Sequence, residues 1–128
     1  MLKLWGRANS INVQKALYCI EELALTYARI DAGRGYGVTF KLVEAKFPLT
    51  ALRYIFITHH HSDHNLEAGP LSYNAWALGL KTPVDIYGPD GVDALIDGFF
   101  AGSKFDIERR IVDEGPPRSA QARHHACL

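Results

Sequence analysis

The chain has 128 residues, of which 48% are apolar and 22% charged; that length suits one ordinary domain and excludes a large multi-domain enzyme. The apolar fraction can build a core, so wholesale disorder and collagen-like repetition are also excluded. Lysine plus arginine number 14 and aspartate plus glutamate 14, for a net charge of zero, so no electrostatic footprint points to nucleic acid or to an anionic membrane.

In chain order, Leu2 to Trp5 alternates apolar and polar residues and predicts a short strand. A helix is expected from about Ser10 to Ala24, with Val13, Ala16, Leu17, Ile20 and Leu23 at helical spacing behind an Asn9 or Ser10 cap. Tyr27 to Asp31 reads as a second strand, and Gly33 to Gly37 as a turn or boundary. Phe40, Leu42 and Val43 suggest a short helix within Val38 to Phe47, stopped before Pro48. Leu52 to Thr58 is a compact β-branched and aromatic run and the best candidate for a buried strand. The polar stretch His59 to Asn65 follows it directly.

Leu71 to Leu80 is expected to be helical, Thr82 to Tyr87 a strand closed by Gly88-Pro89, and Val92 to Phe100 an amphipathic helix. Ile107 to Val112 reads as a last short strand. Residues 116–128 show neither period nor core and are expected to be disordered or loosely docked. Strands alternating with helices favour an α/β layered architecture.

All six histidines fall in two places: His59, His60, His61 and His64 together, and His124 with His125 in the tail. The first group reads Thr58-His59-His60-His61-Ser62-Asp63-His64, a His-x-His-x-Asp-His pattern at the end of an apolar strand. Imidazole and carboxylate are good zinc ligands, and alternate residues leaving a strand can converge on one ion. His59 with His61, and Asp63 with His64, could serve two adjacent divalent ions that hold a hydroxide and polarise a phosphoryl, sulfuryl or carbonyl group. The bland alternative is a solvated histidine-rich turn. His60 points away from its neighbours in this scheme and reads as a spacer.

At these residues the chain resembles the metallo-β-lactamase superfamily, and within it the ribonuclease Z and arylsulfatase-like hydrolases. The resemblance runs from about Gly35 to Gly115 and includes the stretch Thr82-Pro83-Val84-Asp85-Ile86-Tyr87-Gly88-Pro89-Asp90-Gly91. It implies that His59 and His61 bind a first zinc and Asp63 and His64 a second. It also implies a catalytic role for Asp63, which would orient the attacking water or hydroxide. The family completes its site with a later histidine, a bridging aspartate and a final histidine in a second half that this chain lacks. The implied fold is therefore α/β, one half of an αββα sandwich, and the implied function is a truncated zinc-dependent hydrolase of phosphodiester, sulfate ester or related ester substrates, small-molecule or nucleic-acid. Whether it acts alone stays open. His124 and His125 are not favoured as the missing ligands, and Asp113 reads as an exposed loop carboxylate.

The first residues differ. Met1 to Leu17, followed by Cys19 to Tyr27, is similar to the N-terminus of bacterial glutathione S-transferases, which open with the strand and helix of a thioredoxin fold. In that family a hydroxyl near the helix N-terminus holds the glutathione thiolate; Ser10 matches best, Asn12 could assist, and a plain helix cap is the favoured reading of Ser10. The organisation expected is a transferase-like segment over 1–33, a partial hydrolase domain over 34–115, and a tail over 116–128. A rearranged reading frame joining the two would explain it. A glutathione-binding protein and a non-catalytic fragment that pairs with another chain are the alternatives.

Two cysteines, Cys19 and Cys127, are too few for a disulfide framework. No apolar run nears the roughly 20 residues that cross a bilayer, and the start lacks a signal core; a cytoplasmic location without membrane contact is expected. One sheet without its partner would expose Ile55, Ile57 and Ile86, so dimerisation or poor solubility is expected through that face.

Overall fold

The computed structural model describes residues 2–4, 27–29, 37–114 and 122–126; outside 37–114 only the strand backbone is described. Strands β1 (Leu2–Leu4) and β2 (Tyr27–Arg29) pair in parallel, Leu2 opposite Tyr27 and Leu4 opposite Arg29. Parallel neighbours need a crossover connection; the helix expected over Ser10 to Ala24 lies outside the described residues, as do Ser10, Asn12 and Cys19.

Helix α1 (Val38–Glu44) follows. It ends where Lys46 adopts the left-handed conformation (φ 54°). There the Lys46 amide donates to the Val43 carbonyl and the Phe47 amide to the Leu42 carbonyl, each at 2.9 Å, which satisfies the last carbonyls of the helix. Its first turn is held from a distance: the Glu67 carboxylate accepts from the Gly37 amide and from the Thr39 amide, the latter at 3.2 Å. A carboxylate on the exposed N–H groups of a helix start is favourable both as a cap and against the helix dipole.

A single 3₁₀ turn (Leu49–Ala51) leads into β3 (Tyr54–Phe56). Two helices fill the crossover, α2 (Ser62–Asn65) and α3 (Ala68–Ala77), before β4 (Val84–Gly88). Helix α3 begins three residues before the expected Leu71, because Pro70 stands in the first turn, where an amide has no helical partner to lose. Gly79 (φ 101°) closes it: the Gly79 amide donates to the Trp76 carbonyl at 2.8 Å and the Leu80 amide to the Ala75 carbonyl at 2.9 Å. A residue with a Cβ would pay for that left-handed turn.

Strand β3 pairs in parallel with β4, Ile55 opposite Ile86 and Phe56 opposite Tyr87. On the other side of β4 lies β5 (Ala122–Ala126), also parallel, with His124 opposite Ile86 and His125 opposite Tyr87. Within the tail expected to be disordered or loosely docked, Ala122–Ala126 thus satisfies its backbone by pairing with a strand, which a short run without hydrophobic period does not announce. Helices α4 (Val92–Gly102) and α5 (Lys104–Glu114) connect β4 to it.

Helix α5 is a correction, since a strand was expected over Ile107 to Val112. The β-branched residues Ile107, Ile111 and Val112 suggested a strand, but the charges favour a helix. Lys104–Glu108, Asp106–Arg110, Arg109–Asp113 and Arg110–Glu114 form ion pairs four residues apart at 3.1–3.7 Å, a spacing that puts partners on one helical face. Asp113 is thus a helical carboxylate paired with Arg109, not a loop residue.

Val84, Ile86 and Gly88 face the buried side of β4, while Asp85 and Tyr87 alternate to the other, half-buried side. The buried side meets Leu71 and Ala75 of α3 and Val92 and Ile96 of α4 in one core with Leu42, Leu49, Leu52, Ile57 and Leu80. Ile86 and Ile96 are fully buried, each contributing about 1.5–3 kcal/mol relative to exposure. The open inner face expected at Ile57 and Ile86 is therefore covered by helices; the half-buried face carries Tyr54, Phe56 and Tyr87 instead, with Phe56 and Tyr87 stacked at 5.1 Å.

Tyr73 ties three helices together. Its ring meets Trp76 of α3 at 5.6 Å and Phe99 of α4 at 6.3 Å, and its hydroxyl donates to Asp106 of α5. Arg110 donates to the same carboxylate at 3.1 Å and lies over the Tyr73 ring at 5.9 Å. Burial first, and the Asp106 bond second, push the Tyr73 hydroxyl above its ordinary 10.0. The Tyr73 bond first, and Arg110 after it, hold Asp106 below its ordinary 3.8. A carboxylate depressed in the folded state contributes stability that is full above its unfolded value and is lost as pH falls through the folded one. Urea melts should therefore lose stability below pH 3.8 in the parent chain and lose less of it there in Tyr73→Phe; identical acid slopes would contradict this.

Candidate metal centre

Strand pairing decides where the histidine loop stands. The Ile57 amide donates to the Tyr87 carbonyl at 2.8 Å, so the β3–β4 ladder continues almost to the loop. Because the strands are parallel, the residues leaving β3 at Thr58 and those leaving β4 at Gly88 emerge at the same edge. Crevices beyond the carboxyl ends of parallel strands are where open α/β sheets bind ligands.

Thr58 is half-buried, and its hydroxyl bonds His59 Nδ1 at 3.0 Å. The His59 ring meets the His61 ring edge-on with centroids 4.6 Å apart, and the His64 ring at 4.2 Å. His61 is extended (φ −68°, ψ 138°) and precedes α2, whose single turn brings Asp63 and His64 back beside the loop. Asp63 Oδ2 lies 3.3 Å from His64 Nε2, both side chains more than a third exposed. The structure thus gathers three of the four expected ligands, His59, His61 and His64, into one ring cluster and sets the fourth, Asp63, against His64.

The donor chemistry fits zinc: imidazoles and a carboxylate on one short segment. The arrangement does not. The rings rest on one another and Asp63 meets His64 directly; among the described residues no group of three or more His, Cys, Asp or Glu side chains is arranged to hold a metal ion. His124 and His125 stand in β5, in register with Ile86 and Tyr87 of β4, rather than in this loop.

His60 has a different environment. Its Nε2 lies 2.8 Å from the Asp90 carbonyl and its Nδ1 3.3 Å from Asn65 Nδ2, so it has specific partners where the sequence suggested a spacer. Asn65 and Asp90 thus contribute to the loop without any local signal in their residue types. The Pro89-Asp90-Gly91 turn was visible as part of a motif, but only strand pairing brings it beside the histidines.

No protein-family model matches the chain. Ribonuclease Z of Shouchella clausii is 32% identical to it over 91 residues, 68% of this chain and 29% of the relative. Ribonuclease Z of Brevibacillus brevis is 34% identical over 86 residues, 63% of this chain and 27% of the relative. The relationship to ribonuclease Z is partial. This chain spans less than a third of the length of those relatives. Glutathione S-transferase GstB of Escherichia coli K12 is 55% identical over 38 residues, 30% of this chain and 18% of that protein; the transferase likeness rests on that short stretch. No helix among the described residues is long and apolar enough to cross a membrane.

A contact this exposed, between Asp63 and His64, contributes at most about 1 kcal/mol. Asp63→Asn should accordingly shift the urea midpoint by less than that equivalent, and a larger loss would show that Asp63 serves the fold rather than a ligand.

Proposed function

We propose that the chain carries the metal-binding strand and loop of a metallo-β-lactamase-type phosphodiester hydrolase, in which His59, His61, Asp63 and His64 bind zinc. The observation that carries this reading is the cluster of His59, His61 and His64 rings at the carboxyl end of β3. The similarity to ribonuclease Z supports the same substrate class. One or two zinc ions are the cofactor of this proposal, Asp63 its catalytic carboxylate, and one half of an αββα sandwich its fold. Sulfate esters remain further candidates, and a cytoplasmic setting follows from the same reading.

Loading the loop would require the rings to turn from each other toward a common point and Asp63 to leave His64. Few protein ligands from one short segment hold zinc weakly. Calorimetric titration with zinc should show binding that is lost in the His59→Ala, His61→Ala double variant. A parent chain that takes up no zinc would refute the proposal.

A second reading concerns the N-terminal segment, where a 38-residue likeness to a glutathione S-transferase and the parallel β1–β2 pair favour the opening of a thioredoxin fold. Glutathione binding there would need Ser10. Retention on glutathione resin, abolished by Ser10→Ala, is the result expected from that reading, and passage of the parent chain straight through the resin would end it. Dimerisation, in this proposal, uses the half-buried aromatic face of Tyr54, Phe56 and Tyr87.

A further inference from the structure

We propose that His60 is a positioning residue: a strut whose imidazole fastens the histidine loop to the turn after β4 and so aims His59 and His61. It deepens the metal reading and rests on it only in its zinc-binding test.

The chemistry of the two bonds sets the state of the ring. A carbonyl only accepts, so His60 Nε2 must carry the proton it donates to the Asp90 oxygen at 2.8 Å. The amide nitrogen of Asn65 only donates, so His60 Nδ1 must be bare to accept it at 3.3 Å. A ring protonated on Nε2 and bare on Nδ1 satisfies both contacts, and the opposite tautomer satisfies neither. Asn65 is itself buried, 7% exposed, and a buried amide needs partners; His60 supplies one of them. The contact therefore stabilises both the loop and the end of α2.

The acceptor is also specifically placed. Gly91 is left-handed at φ 91°, ψ 0° and stands at the N-cap of α4. Rotation about its φ orients the Asp90–Gly91 peptide plane, so the glycine's backbone helps aim the carbonyl that His60 reaches. A Cβ on Gly91 would approach His60 Nε2 only to 3.6 Å, an ordinary contact, so the conformation rather than space makes glycine the suitable residue there.

Alternation explains the consequence for the other rings. In extended chain, successive side chains leave on opposite sides. With His60 fastened on one side, His59 and His61 are left together on the other, where their rings meet at 4.6 Å. The middle histidine of the triplet thus binds protein, and its two neighbours stand together on the opposite side.

Histidine side-chain NMR on the whole chain tests this without substitution. The His60 ring is expected to be protonated on Nε2 and bare on Nδ1, with through-space contacts between the His59 and His61 rings; a His60 ring protonated on Nδ1 alone overturns the proposal. His60→Leu should abolish the ring contacts and weaken zinc binding about tenfold, the scale of losing a group that orients a ligand, while His60→Gln, which keeps a donor and an acceptor, should restore both to within about twofold of the parent. Ring contacts unchanged in His60→Leu overturn it as well. Should His60→Leu not fold, the tautomer and the His60→Gln variant still decide. A parent chain with the expected tautomer and ring contacts but no zinc uptake supports the strut and removes the metal proposal, which separates the two failures.

Discussion

The parallel pairing of β3 with β4 is the constraint on which the candidate site depends. Parallel register sends both strands out at one edge, and it places Thr58 and the histidine loop beside Gly88 and the Asp90–Gly91 turn. An antiparallel arrangement would put that turn at the opposite edge, and His60 would lose the carbonyl it reaches. The register itself rests on Ile55 and Ile86 sharing a level of the sheet, with Ile86 and Ile57 buried beneath helices α3 and α4. Slipping a strand by one residue would exchange those apolar side chains for Phe56, Tyr87 and Asp85.

The rest of the molecule supports that edge by contacts distant in sequence. Glu67, only three residues after His64, reaches back to the start of α1, so the segment carrying the loop is tied to an element that precedes the sheet. Tyr73, Phe99, Asp106 and Arg110 join α3, α4 and α5 through one aromatic and ionic group. The loop is therefore bounded by strand β3 on one side and by a segment tied to α1 and α4 on the other. Between them, the rings of His59, His61 and His64 pack on one another, and Asp63 lies against His64.

Much of this was legible in the residues. The run Leu52 to Thr58 announced a strand, although the structure forms it only over Tyr54–Phe56 and leaves those residues half-buried, and the His-x-His-x-Asp-His spacing announced that the histidines would stand together after it. Val92 to Phe100 showed its helix through its apolar period. Ile107 to Val112 carries β-branched residues that suit a strand, yet in an exposed segment with no buried residue the four charge pairs at helical spacing carry more weight. Ala122–Ala126 was invisible because its order comes from a neighbour's backbone, to which side-chain pattern is indifferent.

His60 shows the division most sharply. Residue type and spacing determined on their own that four imidazoles and a carboxylate would stand together after an apolar strand, since those are local properties of the chain. They also determined the apolar residues that form the core. Only the tertiary structure decided which histidine faces protein and which face one another, that Ile57 and Ile86 lie under helices, and that a second motif thirty residues away supplies the loop's anchor. The physical reason is that hydrogen-bond partners and burial are set by neighbours in space, and a sequence encodes those neighbours only through the fold as a whole.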